Sequence, residues 1–392
     1  MRRFALSAFA AAALTLSAPA QATDVDGLIA RLPDVVVRYD NMTEMSGVVA
    51  LDNLTIAAKK ADGSPDEETK VFIKRAELTG LDAEAVVSVF DAGRYGAEPD
   101  QTFRRLAAQI ALSEVSFIAG GKPVATIGEW TVDGVEMKQF WFKPGGPDYA
   151  AQFSSDKERA AKIIGNILDS LKIGPSRVAR MHFDYAPAML AGLVTPPGMP
   201  PSYTAAGGTA SYDYAEITGE GFDRGRWGKV TFSGISGKSP VPGLGDMEIT
   251  LADGYWDGFD LTKLLPWLMR AEWPPVEREG LLSYGAACGR DYVIKLPKIG
   301  ALAFPEACTE PVEFAWLIPL HIKAAIAGTF TPVPAAESAL PPYVARHFDA
   351  PAPLEILIEA AYDPDAGAAM LSHYRLRLGG FGAIDLSGAA GG

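Results

Sequence analysis

Apolar and polar residues alternate with a period of two along much of this chain, the spacing of strands with one face in a core and the other in water. In Leu51 to Ala57, Leu54 and Ile56 share a face, and in Arg177 to Tyr185 the residues Ala179, Met181, Phe183 and Tyr185 alternate with Arg180, His182 and Asp184. Val35 to Tyr39 is β-branched, and Val115 to Ile127 reads as a hairpin around AGGKP. Near the C-terminus Leu354, Ile356 and Ile358 oppose Glu355 and Glu359. After the turn DPDAG, Tyr374, Leu376 and Leu378 oppose His373, Arg375 and Arg377, and a weaker alternation runs through Ala383 to Leu386. Any register that keeps the apolar faces together sets those acids beside those bases.

A few stretches carry the helical period instead. Asp156 to Leu171 places Ala160, Ile163, Ile164, Ile167, Leu168 and Leu171 on one stripe and ends at Gly174-Pro175. Asp100 to Leu112 spaces Phe103, Leu106, Ile110 and Leu112 as a helix would, and short helices are expected within Thr23 to Leu32 and before His347.

One strand-to-helix stretch occurs twice, as Val71 to Phe90 and as Ile249 to Leu268. Of its twenty positions only Gly80 with Gly258 and Asp82 with Asp260 are identical, but the apolar positions coincide. The shared residues predict a turn that needs a permissive backbone, then a helix N-cap whose carboxylate accepts from free first-turn amides. Pro266, placed beyond the expected first turn, should kink or shorten the second helix. A polar or turn-rich connection precedes each copy, with LTIA (54–57) leading into the first and VTFS (230–233) into the second, and VDGVEM (132–137) is a partial third echo. The expected fold is α+β: mostly antiparallel curved β-sheets with a few amphipathic helices, in two related halves. Pro196, Pro197, Pro200 and Pro201 mark residues 187–202 as a Pro-rich linker between an N-terminal α+β domain (23–186) and a β-rich C-terminal one (203–392).

Composition adds an address. Arg2 and Arg3 precede an uncharged Ala/Leu-rich run to Leu16, and Ala20-Gln21-Ala22 is the small-x-small pattern of a signal peptidase site, so residues 1–22 are expected to be a signal peptide cleaved after Ala22, with a periplasmic destination. No later run is long and uncharged enough to span a bilayer as a helix, since Phe314 to Gly328 is interrupted by Pro319, His321 and Lys323. The net charge of −13 and the lack of a basic cluster argue against a nucleic-acid partner. Forty glycines and 29 prolines suit many turns between short strands. The two cysteines, Cys288 and Cys308, predict one disulfide closing the intervening loop and stabilising by about 3 kcal/mol.

Motifs that would force a chemistry are missing: there is no G-x-S-x-G elbow, no H-E-x-x-H helix and no G-x-G-x-x-G turn. Gly237-Lys238-Ser239 imitates the end of a phosphate loop, but Phe232 stands where that motif needs glycine. Asp62, Asp66, Glu67 and Glu68 lack the spacing of a calcium loop. The four histidines read as exposed structural residues; an active site, if there is one, starts at His182 with Asp184. No catalytic residue, metal ligand or cofactor is assigned. Phe140-Trp141-Phe142 is a candidate ligand or partner surface, because three consecutive aromatics in a strand cannot all face one core. The readings, in order, are a non-catalytic periplasmic binding or scaffold protein of the bacterial envelope, a carrier of a lipid or other apolar ligand in a groove on a curved sheet, and a hydrolase without a recognisable motif. The expected partner is an envelope protein or an apolar ligand.

Overall fold

A computed structural model describes residues 25–29, 35–60, 62–90, 100–139, 157–185, 209–241, 243–272, 274–275, 279–315, 318–346 and 350–391. The Pro-rich stretch 187–202, the Phe140-Trp141-Phe142 triplet and the expected signal peptide lie outside these residues. Antiparallel sheet dominates. Two compact units form, and they interleave in sequence: the first takes residues up to 181 together with 218–228 and 261–274, the second 182–217, 229–260 and 275–392.

In the first unit, β1 (Val35–Arg38) and β2 (Asn41–Met45) pair with β3 (Val48–Lys59), which starts an antiparallel meander with β4 (Pro65–Thr79), β5 (Arg104–Ala119) and β6 (Lys122–Met137). The short β7 (Leu171–Ile173) joins β6 and pairs with β10 (Phe222–Asp223), which pairs with β11 (Arg226–Trp227); β8 (Ser176–Tyr185), of which the residues to Met181 belong to this unit, also joins β6. The core lies on one face of this sheet, where Leu54, Ile56, Ile73, Leu78 and Val115 are almost wholly buried. Helices α1 (Val25–Ile29), α2 (Ala83–Phe90), α3 (Lys157–Asp169) and α4 (Leu265–Arg270) belong to the same unit.

The alternation does not run unbroken along these strands. In β3 the inward side chains are Val49 and Leu51, then Leu54 and Ile56; in β4 Val71 and Ile73, then Ala76 and Leu78; in β5 Ile110 and Leu112, then Val115. At each slip two successive polar residues face out: Asp52 and Asn53, Lys74 and Arg75, Ser113 and Glu114. Asn53 (φ 53°) and Glu114 (φ 49°) have left-handed backbones, an uncommon state for residues other than glycine. The register is continuous across them, with Asp52↔Arg75 and Leu54↔Ile73 on one side and Arg75↔Ser113 and Ile73↔Val115 on the other. Because paired residues share a face, a slip in one strand compels the same slip in its neighbour. The result is a row of coordinated kinks crossing the sheet, with ion pairs Arg75–Asp52 (2.9 Å) and Lys74–Glu114 (2.6 Å) along its outer side.

A separate irregularity in β5 corrects the expected helix over residues 100–112. These residues form no helix: β5 begins at Arg104, with a register irregularity between Arg105 and Ala107 that buries both Leu106 and Ala107. A bulge inside a two-residue alternation creates three- and four-residue spacings, and these imitate a helix. The helix over 156–171 is present as α3, turned differently from its apolar stripe. Ile164 is 42 % exposed, whereas Gly165 is buried where α3 meets α4; a side-chain carbon there would lie 3.0 Å from Leu268 Cβ. Lys138, buried at the end of β6, binds Asp169 at the end of α3 (2.5 Å) and Gln101 (2.8 Å).

In the second unit a longer meander pairs β9 (Ala210–Gly219), β12 (Val230–Val241), β13 (Gly245–Trp256), β16 (Ala287–Leu296), β17 (Gly300–Thr309), β20 (His321–Pro332), β21 (Ala352–Asp363), β22 (Ala368–Leu378) and β23 (Gly382–Gly391). A small ladder of β14 (Phe259–Asp260), β15 (Glu279–Tyr284), β18 (Val312–Ala315) and β19 (Ile318–Pro319) accompanies it. Kinks recur here, at Gly234 (φ 60°) in β12 and Asp291 (φ 51°) in β16, and the inward residues of β13 shift from Ile249 and Leu251 to Gly254 and Trp256. The C-terminal hairpin has the expected charge pairing, with Glu355 opposite Arg377 and Glu359 opposite His373.

Candidate functional site

The repeated turn is the first place to look. Gly80 (φ 59°) follows β4, and Asp82 caps α2: its Oδ1 accepts from the Ala85 amide at 2.9 Å and its carbonyl from Val86 at 3.1 Å. A side-chain carbon on Gly80 would lie 2.9 Å from Ala108 Cβ, so glycine serves both the backbone angle and the close approach. In the second copy Gly258 again has a positive φ of 92°. Asp260, however, does not cap the helix. It lies in β14 opposite Ser283, and α4 begins at Leu265 with Leu264 as an N-cap that makes no side-chain hydrogen bond. Pro266 therefore sits in the first turn, where its missing N–H is not needed, rather than kinking the helix. Gly80 and Asp82 thus serve a turn and a helix cap, Gly258 a turn, and Asp260 a strand position.

The histidine site gains a residue that spacing could not provide. His182 Nδ1 is 2.8 Å from Asp213 of β9, and its Nε2 is 3.4 Å from Asp184. Asp213 holds the ring's pKa above the ordinary histidine range, with Asp184 reinforcing it against partial burial. Phe183, on the opposite side of β8, stacks on Tyr212 (5.4 Å) and Tyr214 (5.9 Å) and fixes the strand that carries the histidine. The cluster faces water, since the His182 and Asp184 side chains are each 38 % exposed. Two carboxylates around an imidazole, with no hydroxyl or thiol bonded to it among the described residues, make a charged surface cluster and not a nucleophile with its base.

No family model, curated protein or solved structure matches this chain. The two faces of the second unit's sheet differ in chemistry. On the outer face, Lys229, Thr231, Tyr255, Cys288, Arg290 and Glu306 border a cavity of about 580 Å³. Arg290 grips Asp253 with two hydrogen bonds (2.6 and 2.8 Å), and Lys229 lies 4.0 Å over the Tyr255 ring and 3.0 Å from Asp257. Cys288 and Cys308 are directly opposite each other on β16 and β17 and form the predicted disulfide. Its sulfurs and Glu306 are the only trio of metal-ligand type among the described residues, and both sulfurs are already spent in their own bond.

On the inner face, Leu251, Tyr292, Ile294, Ile326, Ile356 and Leu376 lie half-buried, Ile326, Ile356 and Leu376 being successive partners across three strands, while Phe304, Phe330 and Leu354 of the same face are buried. At the β23 edge Ile384 and Leu386 are 53 % and 54 % exposed. Trp256 shares this face of β13 beyond the kink, stacked on Tyr284 at 5.2 Å, and its buried indole N–H has no acceptor among the described residues. Sequence alternation marks many of these residues as inward-facing, but it carries no signal for how well that face is covered.

Proposed function

We propose that this chain is a non-catalytic binding protein of the bacterial envelope, exported to the periplasm, and that the inner face of its second unit takes up an apolar ligand such as the acyl chain of a lipid. One contrast carries the reading. The same alternation that yields side chains near 0 % exposed at Ile56 and Ile73 in the first unit leaves the successive partners Ile326, Ile356 and Leu376 half-buried in the second and Ile384 beside them 53 % exposed, while Phe304, Phe330 and Leu354 of that face are buried. A soluble sheet seldom leaves so long an apolar stripe unfilled, and each methylene laid against it gains about 0.8 kcal/mol. The unpartnered Trp256 N–H suits an ester or carboxyl oxygen at one end of such a ligand. The two units also share their kink pattern. Leu54 follows the left-handed Asn53 and Ile235 the left-handed Gly234, while Glu114 lies in β5 next to β4 and Asp291 in β16 next to β13. This supports two related halves and moves the counterpart of Leu54 from Val230 to Ile235.

Native mass spectrometry of the protein isolated from its own periplasm should detect bound lipid. Leu376→Glu should abolish that adduct while leaving the fold intact; a ligand-free mass for the unaltered protein refutes the reading. A scaffold role is favoured by a different observation, the ten exposed residues of β23, whose outer edge has no strand partner among the described residues. Extended segments of other proteins add to such edges. Crosslinking from a photoreactive residue at Ser387 tests it, and a chain that stays uncrosslinked in the periplasm counts against it.

A further inference from the structure

We propose that the Cys288–Cys308 disulfide is an exchange site for a low-molecular-weight thiol, and not merely a staple. The bond connects directly paired residues of two adjacent strands that hold their register through further pairs, from Ala287↔Thr309 to Leu296↔Gly300. Opening it therefore leaves both sulfurs in place. Cys288, 8 % exposed as a residue, borders the outer-face cavity, whose lining does not include Cys308. Glu306 Oε1 is 3.6 Å from Cys288 Sγ. In the disulfide neither sulfur carries a proton, so this is a contact without a hydrogen bond. In the dithiol, the Cys288 S–H would donate to that carboxylate, and this interaction stabilises the reduced form alone.

The step follows from access. A thiolate RS⁻ entering the cavity attacks Cys288 Sγ, which borders it; the S–S bond breaks, and its electron pair goes to Cys308 Sγ, which takes a proton from solvent. The product is a mixed disulfide on Cys288 with a Cys308 thiol. A second thiolate then attacks the sulfur of the bound R group, releasing RSSR and the Cys288 thiolate, which takes a proton and donates it in a hydrogen bond to Glu306. Two thiols are oxidised and one protein disulfide is reduced.

The probe is reduced glutathione with the folded full chain, quenched by an alkylating agent and mapped by mass spectrometry, with far-UV circular dichroism recorded in parallel. Reduction should proceed within about tenfold of its rate in the urea-unfolded protein, without loss of the sheet signal. The trapped glutathione adduct should lie on Cys288, and Glu306→Ala should lower the ratio of reduced to oxidised protein about fivefold at a fixed glutathione ratio, as loss of a hydrogen bond of roughly 1 kcal/mol implies. A disulfide reduced only as the protein unfolds, or an adduct on Cys308, overturns the proposal.

Discussion

Replacing Gly80 with alanine tests whether the repeated turn depends on backbone conformation, on close packing or on both. At φ 59° an L-residue is strained by about 1–2 kcal/mol. Alanine recovers about 0.4–1 kcal/mol of this by restricting the unfolded chain. Gly134→Ala isolates that balance, because Gly134 has φ 72° and nothing within 4 Å of an added side-chain carbon. The expected cost there is about 0.5–1.5 kcal/mol. At Gly80 the new carbon meets Ala108 Cβ at 2.9 Å, closer than real carbons pack, in a segment tied by hydrogen bonds from Gly80 N–H to the Gly47 carbonyl and from Asp82 N–H to the Leu106 carbonyl. Crowding of that kind adds about 1–3 kcal/mol, for a total of roughly 2–4. Urea denaturation should show both variants with lowered midpoints and unchanged slopes, Gly80→Ala by the larger amount. Adding Ala108→Gly should recover part of the loss at Gly80 and none at Gly134. Equal costs for the two variants, or no rescue, would refute the reasoning.

Four further outcomes are expected. Asp82→Ala should cost about 1 kcal/mol through loss of the α2 cap, whereas Asp260→Ala should leave the helical signal of α4 unchanged, as urea melts and hydrogen exchange can compare. Ile73→Ala should cost about 2–5 kcal/mol and Ile294→Ala clearly less, because only the first empties a filled site; equal costs would remove the contrast between the two sheet faces. Asp169→Ala should destabilise by about 3 kcal/mol by leaving the Lys138 ammonium buried without its carboxylate, measured by urea titration at neutral pH. His182 should titrate above the ordinary histidine range by NMR and return towards it in Asp213→Asn. Its folded pKa is raised, so its small stabilising contribution is full below the unfolded histidine range and is lost as pH rises through the folded value.

Much of the local structure was legible in residue order. The C-terminal hairpin announced its register, because opposite charges and apolar faces can be matched in few ways, and Glu355 does face Arg377. The cap at Asp82, the hairpin at Gly120-Gly121 and the Cys288–Cys308 bond follow from short-range chemistry of the same kind. Residues 100–112 misled because their spacing mixes two-residue alternation with a bulge, and the meaning of a three-residue step depends on whether a neighbouring strand slips with it. The helix α4 misled because Asp260 is claimed by β14, a pairing with residues more than twenty positions away.

The sequence by itself thus determined which residues turn inward, since alternation and turn chemistry act over a few residues. Tertiary structure alone decided where the inward face changes hand, because the kinks at Asn53, Glu114, Gly234 and Asp291 are kept in line by cross-strand pairing. It also decided that Asp213 completes the His182 cluster, and that Ile73 is sealed while Ile294 is left half-open. Burial is a property of what packs on a face, and no residue encodes its own cover.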